Sequence, residues 1–218
     1  MAYSKILAIK YAANRNYYRS SDRFLVPFLE RIKIKGKVIL DFGCGDGPEA
    51  QAFLEMGAKK VVGVDNSAEM IRLAKLRGLV DADFKHTRNT TLPMKDATFD
   101  VIYSRFVLHY IKNLESQLLE ISRVLKPRGY FLALFQCLTD NPKLLNIQVP
   151  INIGRGGEVT KIKILSKSTD EIQNALRNAN LKKIKLIKVK NTDSYIDPEY
   201  NNKHHLKNGT YILFAQKQ

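Results

Sequence analysis

The stretch Val38-Ile39-Leu40-Asp41-Phe42-Gly43-Cys44-Gly45-Asp46-Gly47 decides the fold. Three apolar residues run into an acid, glycines then stand at every second position, and Pro48-Glu49-Ala50-Gln51-Ala52-Phe53-Leu54 opens an amphipathic pattern. The order reads as strand, tight loop, helix. Glycine lets the backbone turn sharply and lets a ligand sit against bare main chain. A helix N-terminus aimed at the loop adds N–H groups and a partial positive charge, and Pro48 suits the first helical turn, where its missing N–H is no loss. Such a loop serves nucleotide-like ligands. A phosphate-cradling P-loop ends in Gly-Lys-Ser/Thr, which Gly47-Pro48-Glu49 is not. A dinucleotide loop reads G-x-G-x-x-G and normally has no acid at the strand end, because pyrophosphate is negative. Asp41 before the loop and Asp46 within it repel phosphate and suit a cationic or amino-bearing ligand.

Working outward, Val61-Val62-Gly63-Val64 is a second buried strand ending in Asp65, 24 residues after Asp41. That spacing matches a parallel strand whose terminal acid accepts both ribose hydroxyls of an adenosine. The run Asp-x-Gly-x-Gly-x-Gly resembles motif I of the class I S-adenosylmethionine (SAM) methyltransferases. SAM carries an ammonium and a sulfonium and no phosphate, which fits the acids. The resemblance implies a Rossmann-like α/β fold: a doubly wound, mostly parallel seven-stranded sheet with an antiparallel last strand and helices on both faces.

The resemblance continues in order. Asp65-Asn66-Ser67-Ala68-Glu69-Met70 looks like the family's Asp-x-Ser-x-x-Met, which implies Ser67 as a helix cap and Met70 packed on the adenine. Where the family has an acid and a small residue before Leu-Pro, facing the adenine edge, this chain has Arg88 and Asn89, a departure. Phe99-Asp100-Val101 resembles the family's fourth strand start, and Ser104 to Tyr110 lies at the carboxyl edge, where open α/β sheets bind ligands. Lys126-Pro127-Arg128-Gly129 resembles the family's turn into strand five at 130–135. The resembling segment thus runs from Val38 to about Phe135. It implies SAM as cofactor, with Asp41, Gly43, Gly45, Asp65, Asn66, Met70, Arg88, Asn89 and Ser104 around it.

Outside this segment the chemistry is sparser. Residues 1–35 read as a helical cap. Arg15, Arg19 and Arg23 share one helical face, and Arg19 is the candidate to dock the SAM carboxylate bidentately. His109, past strand four, is the candidate general base. Four histidines without ligand spacing give no metal site. Residues 139–167 read as an insertion able to act as a lid, with a strand at 160–165. Ser168-Thr169-Asp170-Glu171 is a capping box before a helix at 172–180, and 184–189 and 211–215 are late strands. With 36–138 as the SAM-binding core and 168–218 as the closing helix and strands, the 218 residues form one domain.

Composition narrows the partners. Hydrophobic residues make up 44%, which excludes a disordered chain. No apolar run reaches the roughly 18–20 residues of a membrane span, and Ile6-Leu7-Ala8-Ile9 is too short for a signal-peptide core. With only Cys44 and Cys137, a reducing cytoplasm and no disulfide are expected. The net charge is +15, and it is segregated: residues 1–35 hold 8 Lys/Arg against 2 Asp/Glu, residues 36–140 hold 14 against 13, and residues 141–218 hold 14 against 6. Base amino-methylating enzymes resemble one another in an Asn/Asp-Pro-Pro-aromatic tetrapeptide after strand four; here it reads Ser104-Arg105-Phe106-Val107. The expected function is methyl transfer to an O, N or C atom of a small-molecule acceptor, one that the basic flanks could steer if acidic. Two alternatives stand beside it: an RNA or carrier-protein methyltransferase using those flanks, and a catalytically inactive SAM-binding regulatory subunit. Nucleic acid is disfavoured, since no RNA-binding module accompanies the charge.

Overall fold

Residues 25–88, 90–136, 147–152, 159–165, 167–189 and 210–218 are described by the structure, a computed structural model, with backbone alone at 136, 147–152, 159–164 and 210. The apolar runs seen in the sequence become Val38–Phe42 (β1) and Lys60–Asp65 (β2), joined by the helix Pro48–Glu55 (α2). Val26–Ile32 (α1) precedes them and Ala68–Lys75 (α3) follows. Ala82–His86 (β3), Phe99–Arg105 (β4), Leu114–Val124 (α4) and Leu125–Gln136 (β5) complete the parallel half. Ile147–Asn152 (β6), Val159–Ile164 (β7), Thr169–Asn178 (α5), Leu181–Lys188 (β8) and Thr210–Lys217 (β9) close the chain.

The main sheet has seven strands in the order β3-β2-β1-β4-β5-β9-β8. β1 pairs in parallel with β2 and β4, β3 with β2, and β5 with β4. β9 is antiparallel to both of its neighbours, β5 and β8. The antiparallel last strand expected from the sequence is therefore present, inserted between two strands that precede it.

Strand residues alternate between faces, and the two faces build two cores. Leu40, Ile102, Phe131 and Ala133 pack with Leu118 and Ile121 of α4 and Leu176 of α5. Ile39, Val101, Leu132 and Leu134 pack with Ile32 of α1, Phe53 of α2 and Ile71 of α3. Each such large side chain, fully buried, contributes about 1.5–3 kcal/mol. The helix ends fall at the glycines read from the sequence: Gly57 and Gly78 have φ of 84° and 64°, the left-handed region that glycine enters freely. Ser67 Oγ accepts from Met70 N–H, and Ser168 with Glu171 forms the expected reciprocal cap.

The amino ends of the central strands are clamped by one carboxylate. Asp100 Oδ2 accepts from Val38 N–H and Oδ1 from Lys126 Nζ, both at 2.9 Å, so one side chain holds β1, β4 and β5 together. Burial pushes this carboxyl up, but the Val38 N–H and the ammoniums of Lys126 and Lys37 outweigh it and hold it below the usual carboxylate range.

β6 and β7 form a separate two-stranded antiparallel sheet. The sequence placed only 160–165 in a strand, because Pro150 looks like a breaker. A two-stranded ribbon is all edge, where proline is tolerated. Leu165 N–H donates to the His109 carbonyl at 2.8 Å, which ties the end of this hairpin to the region past β4. No helix among the described residues is long and apolar enough to cross a membrane.

Candidate functional site

The loop between β1 and α2 holds its shape with its own amides. Gly43, Gly45 and Gly47 have φ of 80°, 55° and 81°. The N–H groups of Gly43 and Cys44 both donate to the Val64 carbonyl, at 2.8 and 2.9 Å, and Gly47 N–H donates to the Cys44 carbonyl at 2.9 Å. Gly45 N–H donates to Asp65 Oδ2 at 2.9 Å. Four amides are thus engaged internally and Pro48 has none to offer. The expectation of a bare glycine surface also needs correction. A Cβ on Gly43 would lie 2.1 Å from Val107 Cγ2, and one on Gly47 2.8 Å from the Phe84 ring, so the protein itself occupies these positions. The loop turns tightly to let Val107 and Phe84 in.

Two acids stand at the carboxyl ends of neighbouring strands. Asp41, in β1, is 2% exposed. Asp65 closes β2, and the β1–β2 register of Asp41 opposite Gly63 sets it two rungs beyond Asp41. Besides Gly45 N–H, Asp65 accepts from Ser67 N–H through Oδ1 at 2.8 Å. These bonds fix the plane of a group that has about four lone-pair sites. Asp46 plays a different part. Arg77 Nη2 lies 2.6 Å from its Oδ2, and Arg77 Nε donates to its carbonyl at 2.5 Å. Asp46 therefore fastens the loop to the residues just past α3, and its charge is met within the protein. Arg105 likewise meets Glu49 at 2.9 Å, linking the end of β4 to the first turn of α2.

The other expected residues are distributed unevenly. Ser104 is fully buried and its Oγ donates to the Phe42 carbonyl at 3.0 Å, pinning the ends of β4 and β1 side by side. Met70 is buried in α3. Asn66 and Arg88 are exposed, and the Asn66 carbonyl lies 3.2 Å from His86 Nε2. His109 sits in the short 3-10 turn Leu108–Tyr110, only 3% exposed, with its ring 4.2 Å from the Tyr110 ring and 6.4 Å from that of Phe106. Phe106 has φ of 55°, an outlier for a bulky residue, at the point where β4 gives way to this turn. Such conformations cost about 1–3 kcal/mol and collect at functional sites. Arg19 and Asn89 lie outside the described residues.

Sequence reasoning missed the groups that hold the segment leading from Thr90 to β4. Arg123 donates to the carbonyls of Leu92 and Met94 at 3.0 and 2.9 Å and pairs with Glu120 and Asp96. Glu120 accepts in turn from Leu92 N–H at 2.8 Å, and Gln117 Nε2 donates to the Thr90 carbonyl at 3.2 Å. Arg123 holds the Glu120 carboxyl below its usual range against the opposing effect of burial, and Glu120 and Asp96 raise the Arg123 guanidinium further. The i,i+3 spacing of Glu120 and Arg123 was visible in the sequence; their backbone targets were not. Among the described residues no cluster of three metal-binding side chains occurs.

The acceptor oxygens of Asp41 and Asp65 suit a ligand that donates from hydroxyl and amino groups and carries no phosphate. A methyltransferase-domain family model matches residues 40–133. An uncharacterised methyltransferase, YcgJ of Bacillus subtilis, is 31% identical over 110 residues, covering 49% of this chain and 43% of that protein. The ubiquinone/menaquinone biosynthesis C-methyltransferase UbiE of Rubrivivax gelatinosus is 35% identical over 99 residues, covering 45% of this chain and 39% of that protein. The chain spans less than half the length of either relative. Among solved structures, a SAM-dependent methyltransferase from Mesorhizobium loti superposes with a TM-score of 0.67 at 18% identity, covering 88% of this chain and 97% of that one, a likeness of fold. The segment matched by the methyltransferase-domain model, residues 40–133, contains the glycine loop, Asp41, Asp65 and the Arg123 network.

Proposed function

We propose that the chain binds SAM at the carboxyl ends of β1 and β2 and transfers its methyl group to an O, N or C atom of a small-molecule acceptor. The observation that carries this reading is the Asp65 carboxylate, oriented by Gly45 and Ser67 N–H beside the buried Asp41. Bound SAM supplies a methyl already activated on a sulfonium for in-line displacement. In this reading Asp65 takes the ribose hydroxyls, Asp41 answers the positive charge of the ligand, and Met70 with the segment from Arg88 to Leu92 flanks the adenine. The remaining task of the protein is to hold an acceptor in line, an effect worth up to about 7–11 kcal/mol. His109, in its turn among aromatic rings, takes a proton only from acceptors that must lose one. The relative named for ubiquinone and menaquinone biosynthesis is in keeping with a small acceptor.

Calorimetry tests the cofactor: SAM and its demethylated product should share one site, with NAD and ATP far weaker. Tight NAD binding sinks the reading. Mass spectrometry of a cell extract incubated with isotopically labelled SAM tests the acceptor. A labelled small molecule is the expected product. SAM binding with no labelled product, small or macromolecular, would make the chain a binding subunit.

A further inference from the structure

The two borders of the main sheet are protected differently. β8 carries Lys182, Lys183, Lys185 and Lys188 and no acid, and its register with β9 shifts between Lys182 and Lys185. Lysines and irregular pairing are the usual guards of an edge strand. β3 forms the other border, where among the described residues β2 is its only strand neighbour. Its residues Ala82-Asp83-Phe84-Lys85-His86 hold one lysine and one acid, and its pairing with β2 is regular throughout.

The main chain of β3 is phased to accept a further strand. The Asp81 carbonyl accepts from Val61 N–H, and Thr87 N–H donates to the Asp65 carbonyl, both at 3.0 Å. Bonds between parallel strands are evenly spaced, and every second residue turns its main-chain groups to the same neighbour. Asp83 and Lys85, in step with Asp81 and Thr87, therefore bond toward β2. Phe84 and His86 turn their N–H and C=O groups outward, while Ala82 N–H is met by the Leu79 carbonyl at 3.3 Å. The side chains divide between the two faces. Phe84 is buried over Gly47 and Gly63, and Asp83 and Lys85 emerge on the opposite face, 3.4 Å apart and less than half exposed.

The order Asp83-Phe84-Lys85 is its own antiparallel complement. A two-fold axis normal to the sheet at Phe84 sets each Asp83 opposite Lys85 of the other copy. These are pairs without main-chain bonds, where Cα atoms approach to about 4.5 Å and side chains lie closest. Phe84 then faces its counterpart in a hydrogen-bonded pair. An axis at Asp83 or at Lys85 would instead oppose like charges, which destabilises a sheet. Lys85 thus guards the edge against strands that offer no acid at this position and is matched by a second copy of its own chain. We propose that two copies of this chain join through the outer edges of β3, antiparallel about a two-fold axis at Phe84, into one continuous sheet. Apolar surface lies beside this edge: Val80 and Leu76, between α3 and β3, are 96% and 69% exposed, the most exposed large apolar side chains among the described residues. The edge is short, so the dimer belongs among weak, concentration-dependent ones.

Sedimentation velocity of the full chain at rising concentration tests the proposal, and a monomer–dimer equilibrium is the expected result. Asp83→Lys and Lys85→Asp should each weaken self-association at least about tenfold, since each turns two attractions into two repulsions. Mixing the two variants should restore a dimer with one copy of each, because each copy then supplies the charge that the other lacks. The melting temperature and SAM affinity of either variant in dilute solution should match those of the parent. In the parent, the Phe84 and His86 amides should gain protection from hydrogen exchange as concentration rises. A chain that stays monomeric at every concentration overturns the proposal. So do a dimer that neither variant weakens, variants that remain apart when mixed, and amides at Phe84 and His86 whose exchange ignores concentration.

Discussion

Two aspartates at opposite ends of the central strands share a residue type and differ in everything else. At the amino ends, Asp100 closes on one backbone N–H and the Lys126 ammonium, and the result is a clamp across three strands. At the carboxyl ends, Asp65 is gripped by two backbone N–H groups that fix its orientation. The carboxylate bonded to a lysine ties strands together, while in the function proposed above the one oriented by main chain offers lone pairs to ribose hydroxyls. Asp46 shows that position alone does not decide the matter. It lies within the glycine loop, yet Arg77 claims it, and it belongs with Asp100 in kind. Partners, rather than place in the motif, separate the two classes of acid.

The sharpest way to break this contrast is Asp65→Ala. Charge-assisted bonds to ribose hydroxyls are worth about 1.5–3 kcal/mol each, so SAM affinity should fall at least tenfold by calorimetry while the far-ultraviolet spectrum stays native. Unchanged affinity would put Asp65 in the structural class beside Asp100.

Next in size is Gly43→Ala, which probes the loop itself. The substitution meets both the positive φ and Val107 Cγ2 at 2.1 Å. A loss of about 2–4 kcal/mol in urea unfolding is expected, from strain and overpacking together. Adding Val107→Ala should restore part of it. Strictly additive losses would show that Val107 does not fill the space.

A smaller effect should appear with pH. Asp100 and Glu120 are both held below the usual carboxylate range in the folded protein. Their stabilisation is complete above the unfolded carboxylate value, roughly pH 4, and is lost as pH falls through the lower folded values. Thermal stability should therefore drop in acid below about pH 4, and Asp100→Asn, already less stable at pH 7, should show a shallower drop. An equal slope in parent and variant would exclude Asp100 from the acid response.

The smallest effect concerns the charged flanks. For a small acidic acceptor, kcat/KM should decline shallowly with salt while SAM binding barely moves. A logarithmic slope of several units would instead indicate a polyanionic acceptor, through released counterions.

Much of this architecture was legible before any coordinates. The strand–loop–helix at 38–54, the partner acid at Asp65, the helix stops at Gly57 and Gly78 and the Ser168–Glu171 cap all rest on local rules, where residues close in sequence dictate backbone geometry. The unread part is long-range. Arg77 reaches Asp46 across 31 positions, and Lys126 reaches Asp100 across 26. Such pairs exist only once helices and strands have been laid together, so no spacing announces them. The same limit explains why Asp46 looked like a ligand-facing acid and why Val107 was not foreseen behind Gly43. The order of the last strands was readable only through resemblance.

That order has a consequence for how the protein is made. β8 reaches the sheet only through β9, and β9 covers the open side of β5. On a ribosome, β5 is complete at Gln136, but the strand that seals it begins at Thr210. At roughly 5–20 residues per second, β5 waits roughly 4–15 s for its β9 partner. Leu213 and Phe214, both buried at the end, are what finally closes it. Those seconds are the period in which a chaperone, or another nascent copy, would find an unpaired strand to hold.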